Sequence, residues 1–328
     1  VAKLAHVIVI PLLFAAAFSA SAQEKSKMEF PVSASSKTLG YSPLWVALKQ
    51  GFFDRQGLDV QLVLVSGADK SIMALVGGSV FVSTGSIDAT IGAVEQGADL
   101  VSIGGIINGL THMIMGGKKF KTYEDLRGAT IGSSGITSGT AFVLRRVLQA
   151  KGLQYPRDYT LVNVGGSPQA FMALTAGKID AAIIAIPLSF DAAEMGYNVI
   201  GRVVDVIPNY QLTDISAKRS WAERNRAPLV DFMKAMVHSM QWLYNNKAAA
   251  IEFLAKEMKL KPNQARKGWE YYTENRIWHP EADINVEGVK TVIQIYAERT
   301  QMKGTLPDPA KYVDQSYLKE ALKELGGK

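Results

Sequence analysis

Val65-Ser66-Gly67-Ala68-Asp69-Lys70-Ser71-Ile72-Met73-Ala74-Leu75-Val76-Gly77-Gly78 recurs in outline as Val164-Gly165-Gly166-Ser167-Pro168-Gln169-Ala170-Phe171-Met172-Ala173-Leu174-Thr175-Ala176-Gly177. Extended both ways without a gap, residues 30–101 pair with residues 129–200, and 17 of the 72 pairs are identical. Average composition gives roughly 5 such matches. The identities fall at turn glycines, small hydroxyls and apolar positions, among them Ser35/Ser134, Thr38/Thr137, Gly40/Gly139, Leu62/Leu161 and Glu95/Glu194. One α/β unit used twice predicts two similar lobes with a cleft between them.

Each copy reads as strand, loop, helix in alternation, the pattern of a parallel sheet with right-handed crossovers. In the first copy a strand ending at Ser35 runs into the loop 36–42, and Pro43 suits the first turn of a helix. Val60 to Val65 is a nearly continuous apolar run, as a strand buried on both faces requires. Val80 to Ser83 reads as a third strand with Thr84-Gly85-Ser86 as its exit loop. The second copy repeats these steps at Thr130–Ser134, Thr160–Val164 and Ala181–Ile186, with Pro187 beyond the last. From Trp221 the pattern turns helical, broken at Pro228, Pro262 and Pro307. These late helices are expected to pack on the first lobe.

A length of 328 residues favours two lobes over one core. A hydrophobic content of 48% with 20% charged residues describes a folded, soluble chain. Lys3, the apolar run Val7–Phe18 and Ala20-Ser21-Ala22 read as a secretory signal cleaved near residue 22. The competing reading, a membrane anchor, asks for about 20 apolar residues. The formal charge is +6, falling to +5 without Lys3, and its scattered lysines and arginines are a matter of solubility. No nucleic-acid motif accompanies them. With no cysteine there is no disulfide framework and no thiolate chemistry.

In open α/β sheets, ligands bind beyond the carboxyl ends of the strands. The duplication therefore nominates Ser35, Leu39, Gly40, Tyr41, Ser66, Thr84 and Ser86 from the first copy, and Ser134, Thr137, Ser138, Gly139, Thr140 and Pro187 from the second. Asn108 and His112 join them from the segment between the copies. Five hydroxyls in the eight residues 133–140, with glycines among them, favour an anion at a helix start over an ordinary helix cap, for which one hydroxyl would suffice. Tyr41 is the candidate wall for an apolar ligand body, while Trp45, inside a helix, reads as core. His112 reads either as a ligand contact or as a structural hydrogen bonder.

Enzyme readings find little support. There is no His-Glu-x-x-His, Gly-x-Ser-x-Gly, dinucleotide or phosphate-loop pattern. No metal site, cofactor or catalytic residue is expected.

Gly40-Tyr41-Ser42-Pro43-Leu44-Trp45-Val46-Ala47, then Gly51-Phe52-Phe53 and Gly57-Leu58-Asp59-Val60, resemble the opening of periplasmic solute-binding proteins of the sulfonate, nitrate and taurine class. Gln96-Gly97-Ala98-Asp99-Leu100-Val101, Tyr123-Glu124-Asp125-Leu126-Arg127-Gly128 and Gly177-Lys178-Ile179-Asp180-Ala181-Ala182 resemble later stretches of that family, over about residues 29–320. The resemblance implies an α/β, two-lobed periplasmic-binding-protein fold of type II, each lobe an open, mainly parallel sheet flanked by helices. It implies a monomer that closes on a small molecule and delivers it to an ABC transporter permease.

The lobes expected are 23–114 with 212–328, and 115–211, joined by hinge segments near 112–120 and 204–213. Leu39-Gly40-Tyr41, Thr84-Gly85-Ser86 and Thr137-Ser138-Gly139-Thr140 would face the ligand, expected to be a small organic anion, a sulfonate or carboxylate. Nitrate and thiamine-precursor pyrimidines are the family's other ligands. Related fungal pyrimidine-synthesising enzymes use a cysteine-bearing motif that this chain lacks.

Overall fold

The computed structural model describes residues 27–326 apart from 66 and 137. The expected signal, residues 1–22, lies outside them. Among the described residues, ten strands form two sheets of five. The first contains β1 (Met28–Ala34), β2 (Leu58–Leu64), β3 (Val82–Ser86), β4 (Leu100–Ile107) and β10 (Thr213–Lys218), ordered β2-β1-β3-β10-β4. The second contains β5 (His112–Gly116), β6 (Thr130–Ser133), β7 (Thr160–Asn163), β8 (Ala181–Ala185) and β9 (Asn198–Arg202), ordered β7-β6-β8-β5-β9.

The two orders are the same under the repeat found in the sequence. β1, β2, β3 and β4 correspond to β6, β7, β8 and β9, and β10 takes the place that β5 holds. Each sheet is parallel except for that one strand, which runs antiparallel to both neighbours. The opposed strand is in each case the first to follow a passage between the lobes, so it enters its sheet from the cleft side and runs against the others.

The chain passes from the first sheet to the second between Ile107 and His112, and returns between Arg202 and Thr213. The first passage thus precedes residues 112–120, the sequence expectation, because His112–Gly116 already pair with β8 and β9. Thr84-Gly85-Ser86, expected as an exit loop, belong to β3 and pair with Ile215, Asp214 and Thr213. The antiparallel partner extends the strand, and a partner so distant in sequence leaves no local mark.

Thirteen α-helices among the described residues flank the sheets. On the first lobe lie α1 (Ser42–Lys49), α2 (Phe52–Arg55), α3 (Ala68–Gly77) and α4 (Ile87–Glu95); on the second, α5 (Gly139–Ala150), α6 (Ser167–Thr175) and α7 (Leu188–Glu194). The late helices are α8 (Arg219–Arg224), α9 (Arg226–Asn245), α10 (Lys247–Glu257), α11 (Pro262–Glu274), α12 (Val286–Thr300) and α13 (Ser316–Glu324). None of the described helices is long and apolar enough to cross a membrane.

The 20 residues of α9 bury Leu229, Phe232, Met233, Met236, Met240 and Leu243, the spacing of one helical face. That face packs on α1 and α2, with Phe232 stacked on Phe30 at 5.4 Å and on Phe53 at 5.1 Å. The following chain presses on β4. Gly105 donates its N–H to Ala282 O at 2.9 Å, and a Cβ at Gly105 would stand 2.6 Å from Asp283 O. A side chain there would push the segment off the sheet. The late helices therefore complete the first lobe.

Candidate functional site

A cleft of about 580 Å³ opens between the carboxyl ends of the two sheets. Cavities of roughly 300–1,000 Å³ suit small organic molecules. The first lobe supplies residues 37–41, Ser86, Ile107, Leu212 and Thr213. The second supplies His112, Ser167, Pro168 and residues 185–188, with Thr111 at the passage between them. A third group, Met258, Lys259, Leu260, Gln264 and Tyr272, comes from the late helices.

The wall at residues 39–41 is a short 3-10 turn driven into the cleft from behind. Trp278, fully buried, donates its indole N–H to Gly40 O at 2.9 Å. A Cβ on Gly40 would stand 2.5 Å from Ile107 Cδ1 and 2.9 Å from the Tyr272 hydroxyl, so only glycine fits.

Tyr41 then presents its ring to the cleft. Ser35 Oγ donates to Thr84 O at 3.0 Å, so at 2.8 Å it accepts from the Tyr41 hydroxyl, while Thr213 Oγ1 donates to Tyr41 at 3.4 Å. The phenol is satisfied within the protein, and burial pushes its pKa up. What remains for a ligand is an aromatic surface.

Behind Tyr41, Asp214 is fully buried on β10. Thr90 and Ser216 donate to its Oδ2 at 3.0 and 2.5 Å, yet Oδ1 has no partner. Burial pushes its carboxyl up to about 6 against those hydrogen bonds.

Two serines, Ser86 and Ser167, line the cleft from opposite lobes. Ser86 Oγ accepts the Ala89 N–H at 3.3 Å, and Ser167 Oγ accepts the Ala185 N–H at 3.0 Å. Neither donates to a protein acceptor among the described residues, so each retains an O–H for a ligand. The repeat pairs Ser86 with Ala185 and Ser167 with Ala68, so the serine has changed position between the copies.

His112 has no side-chain hydrogen bond, its Nδ1 is sealed from solvent, and burial lowers its pKa to about 4. It is therefore a neutral imidazole at pH 7. Two cations lie at the cleft. Lys37 is paired with Glu257 at 2.6 Å, whereas Lys259 has no ion-pair partner among the described residues. Lys259 adopts the left-handed conformation, φ 53°, just past the end of α10, where glycine is usual. No carboxylate is among the lining residues.

Of the residues nominated from sequence, Leu39, Gly40, Tyr41, Ser86, His112 and Pro187 line this cleft. Ser35 and Thr84 stand behind its wall, Thr84 Oγ1 donating to Ser33 O at 3.1 Å. Asn108 is turned away, donating to Asp283 O at 2.7 Å.

Ser134, Ser138, Gly139 and Thr140 are not among the lining residues. Ser138 accepts the Ala141 N–H at 3.1 Å and donates to Gly135 O at 2.8 Å, and Ser134 donates to Ser138 at 3.1 Å. The Ser138 hydroxyl is thus spent on the helix cap, with Ser134 bonded to it, and not on the cleft as the sequence favoured. Ser66 and Thr137 lie outside the described residues.

Among the residues that sequence reasoning missed, Met258, Lys259 and Leu260 come from the turn between α10 and α11, and Gln264 and Tyr272 from α11 itself. Pro262 marks that break, but several prolines mark similar breaks and none shows which one reaches the cleft.

Residues 39–250 match the family model described as NMT1/THI5 like. The formylaminopyrimidine-binding protein of Halalkalibacterium halodurans is 23% identical over 219 residues, 64% of this chain and 64% of that protein. The match thus spans a little under two thirds of that relative's length. Among solved structures, the periplasmic aliphatic sulphonate binding protein SsuA from Escherichia coli superposes with a TM-score of 0.70 at 20% identity, covering 89% of this chain and 99% of that one. The periplasmic nitrate-binding protein NrtA from Synechocystis PCC 6803 gives 0.72 at 14% identity, covering 92% and 89%. At these identities the two structures establish the two-lobed fold alone.

Proposed function

The chain belongs to the NMT1/THI5-like family, and we propose that it is the exported substrate-binding protein of an ABC importer, capturing a small organic anion with an apolar body by closure of its lobes. The observation that carries this reading is the cleft's lining: an aromatic and aliphatic interior, two serine hydroxyls with free O–H groups, an unpaired ammonium at Lys259 and no carboxylate. A sulfonate or carboxylate suits the hydroxyls and Lys259, and an alkyl or aryl remainder suits Tyr41, Leu39, Ile107 and Leu260. Nitrate would leave most of the 580 Å³ without a partner.

Closure follows from a ligand that touches both lobes, since binding shifts an equilibrium only by its differential affinity for the two states. Delivery to a membrane permease, a monomeric state, export, and lobes at 23–114 with 212–328 and at 115–211 belong to the same proposal. So does hinge motion, at the two passages between the sheets.

A second reading has one observation in its favour. The neutral imidazole of His112, without a protein partner, suits a neutral heteroaromatic ring, and a curated relative is named for a formylaminopyrimidine. A thermal-shift screen of alkyl and aryl sulfonates, carboxylates, nitrate and pyrimidines separates the two. A ligand of the folded state at a hundredfold excess over its Kd adds about 2.7 kcal/mol. We expect sulfonates or carboxylates to raise the melting temperature. Stabilisation by pyrimidines alone replaces the anion with a neutral ring, and a screen in which only cations act contradicts both.

A further inference from the structure

Glu95 and Glu194 are one of the identities of the internal repeat, at the ends of the equivalent helices α4 and α7, yet they are held in different ways. Glu95 is clasped within its own lobe, by Lys311 Nζ at 2.6 Å and the Tyr312 hydroxyl at 2.5 Å. Glu194 is clasped from the other lobe. Asn263 Nδ2 donates to it at 2.7 Å and Lys267 Nζ at 2.5 Å, both from α11. Lys267 also holds the Glu194 carboxyl below the usual range.

The contact continues along both helices. Gln264 Nε2 donates to Asp191 at 2.5 Å, Phe190 meets Tyr271 edge-on at 6.2 Å, and Lys267 Nζ lies 6.0 Å above the Phe190 ring. Phe190, Asp191 and Glu194 share one face of α7, and Asn263, Gln264, Lys267 and Tyr271 share one face of α11. α7 packs on β5, β8 and β9 of the second sheet, whereas α11 packs on α10, and Trp269 ties it to α9 through Leu243 O at 2.7 Å.

The contact also borders the cleft. Leu188 at the start of α7 and Gln264 of α11 both line it, as do residues 258–260 just before α11.

We propose that the α7–α11 contact is a latch holding the two lobes together at the edge of the cleft before any ligand binds. Two carboxylates on one lobe meet three donors on the other, around an aromatic pair. Glu194 alone, half exposed, is a weak tie in water, but the set acts across a single narrow face. A ligand closing the cleft then adds to a contact already made, which lowers the ordering it must impose. The inference rests on the reading of the protein as a receptor whose lobes move.

The chain has no cysteine, so Met73→Cys and Met172→Cys give two clean labelling positions. Both side chains are exposed, 70% and 59%, on α3 of the first lobe and α6 of the second. With nitroxides there, pulsed electron resonance reads the distance between lobes in protein without added ligand. Glu194→Lys, which sets like charges together, is expected to shift the distribution to longer distances at an unchanged melting temperature. Adding Lys267→Glu is expected to restore it, and 1 M salt to shift the parent part of the way.

A Glu194→Lys distribution that superposes on the parent's overturns the latch. That failure is separate from failure of the receptor reading, which the ligand screen decides independently of any change at Glu194.

Discussion

Residues 36–41 of the first lobe pair in the repeat with residues 135–140 of the second, and the cleft is lined by residues 37–41 but by none of the described residues of the second set. What differs is the support behind them. The first loop is backed by Trp278, Tyr272 and Ile107, which fix Gly40 and push Tyr41 forward. The second closes on itself through Ser134, Ser138 and Gly135. The same start to a helix becomes a binding wall in one lobe and a plain cap in the other, because Trp278 and Tyr272 back the first, whereas the second is held by its own serine hydroxyls. Duplication supplies the scaffold, and the added C-terminal chain makes it asymmetric.

The comparison is broken most severely by removing the support. Trp278→Ala deletes a fully buried indole and leaves Gly40 O without its donor, and is expected to cost about 3–5 kcal/mol in urea unfolding. Its counterpart in the second lobe, Ser138→Ala, removes only a cap, a loss of about 1 kcal/mol.

Asp214, behind the first wall, has the opposite sign. Its carboxyl is raised from 3.8 to about 6, so between these pH values the folded state keeps a proton that the unfolded chain has released. Stability from this group is highest below pH 4, falls as pH rises to 6, and stays lowered by about 3 kcal/mol above it. Asp214→Asn is therefore expected to stabilise the protein at pH 7 by up to that amount. The difference from the parent should vanish near pH 4, and an equal difference at both pH values contradicts the account.

The smallest effect on the fold is expected at Lys259. Lys259→Gly relieves a left-handed residue and adds up to about 1 kcal/mol of stability, while anion affinity falls roughly tenfold if Lys259 is the counter-charge. Calorimetric unfolding and titration read the two changes separately.

Much of this architecture is legible in the chain. The repeat pairs β1 to β4 with β6 to β9 in correct register, and Pro43 and the apolar runs place their elements. What local patterns leave unread is long-range. β10 recruits Thr84-Gly85-Ser86 into a strand from more than 120 positions away, and β5 forms where a connector was expected. The site divides in the same way. Tyr41, Ser86 and Pro187 follow from strand ends and His112 from the segment between the copies, whereas Lys259, Gln264 and Tyr272 arrive with late helices whose docking no local pattern encodes. The Ser138 hydroxyl is legible as a donor or as a cap, and its neighbours alone decide between them.

The central claim is that substrate is chosen by the first lobe's wall and not by its counterpart. Its most direct test is calorimetric titration of the strongest compound from the screen into the parent, Tyr41→Ala and Ser138→Ala. Loss of the ring is expected to weaken binding at least tenfold, on the order of 1.4 kcal/mol or more, with Ser138→Ala unchanged. Intact binding in Tyr41→Ala together with loss in Ser138→Ala would contradict the account.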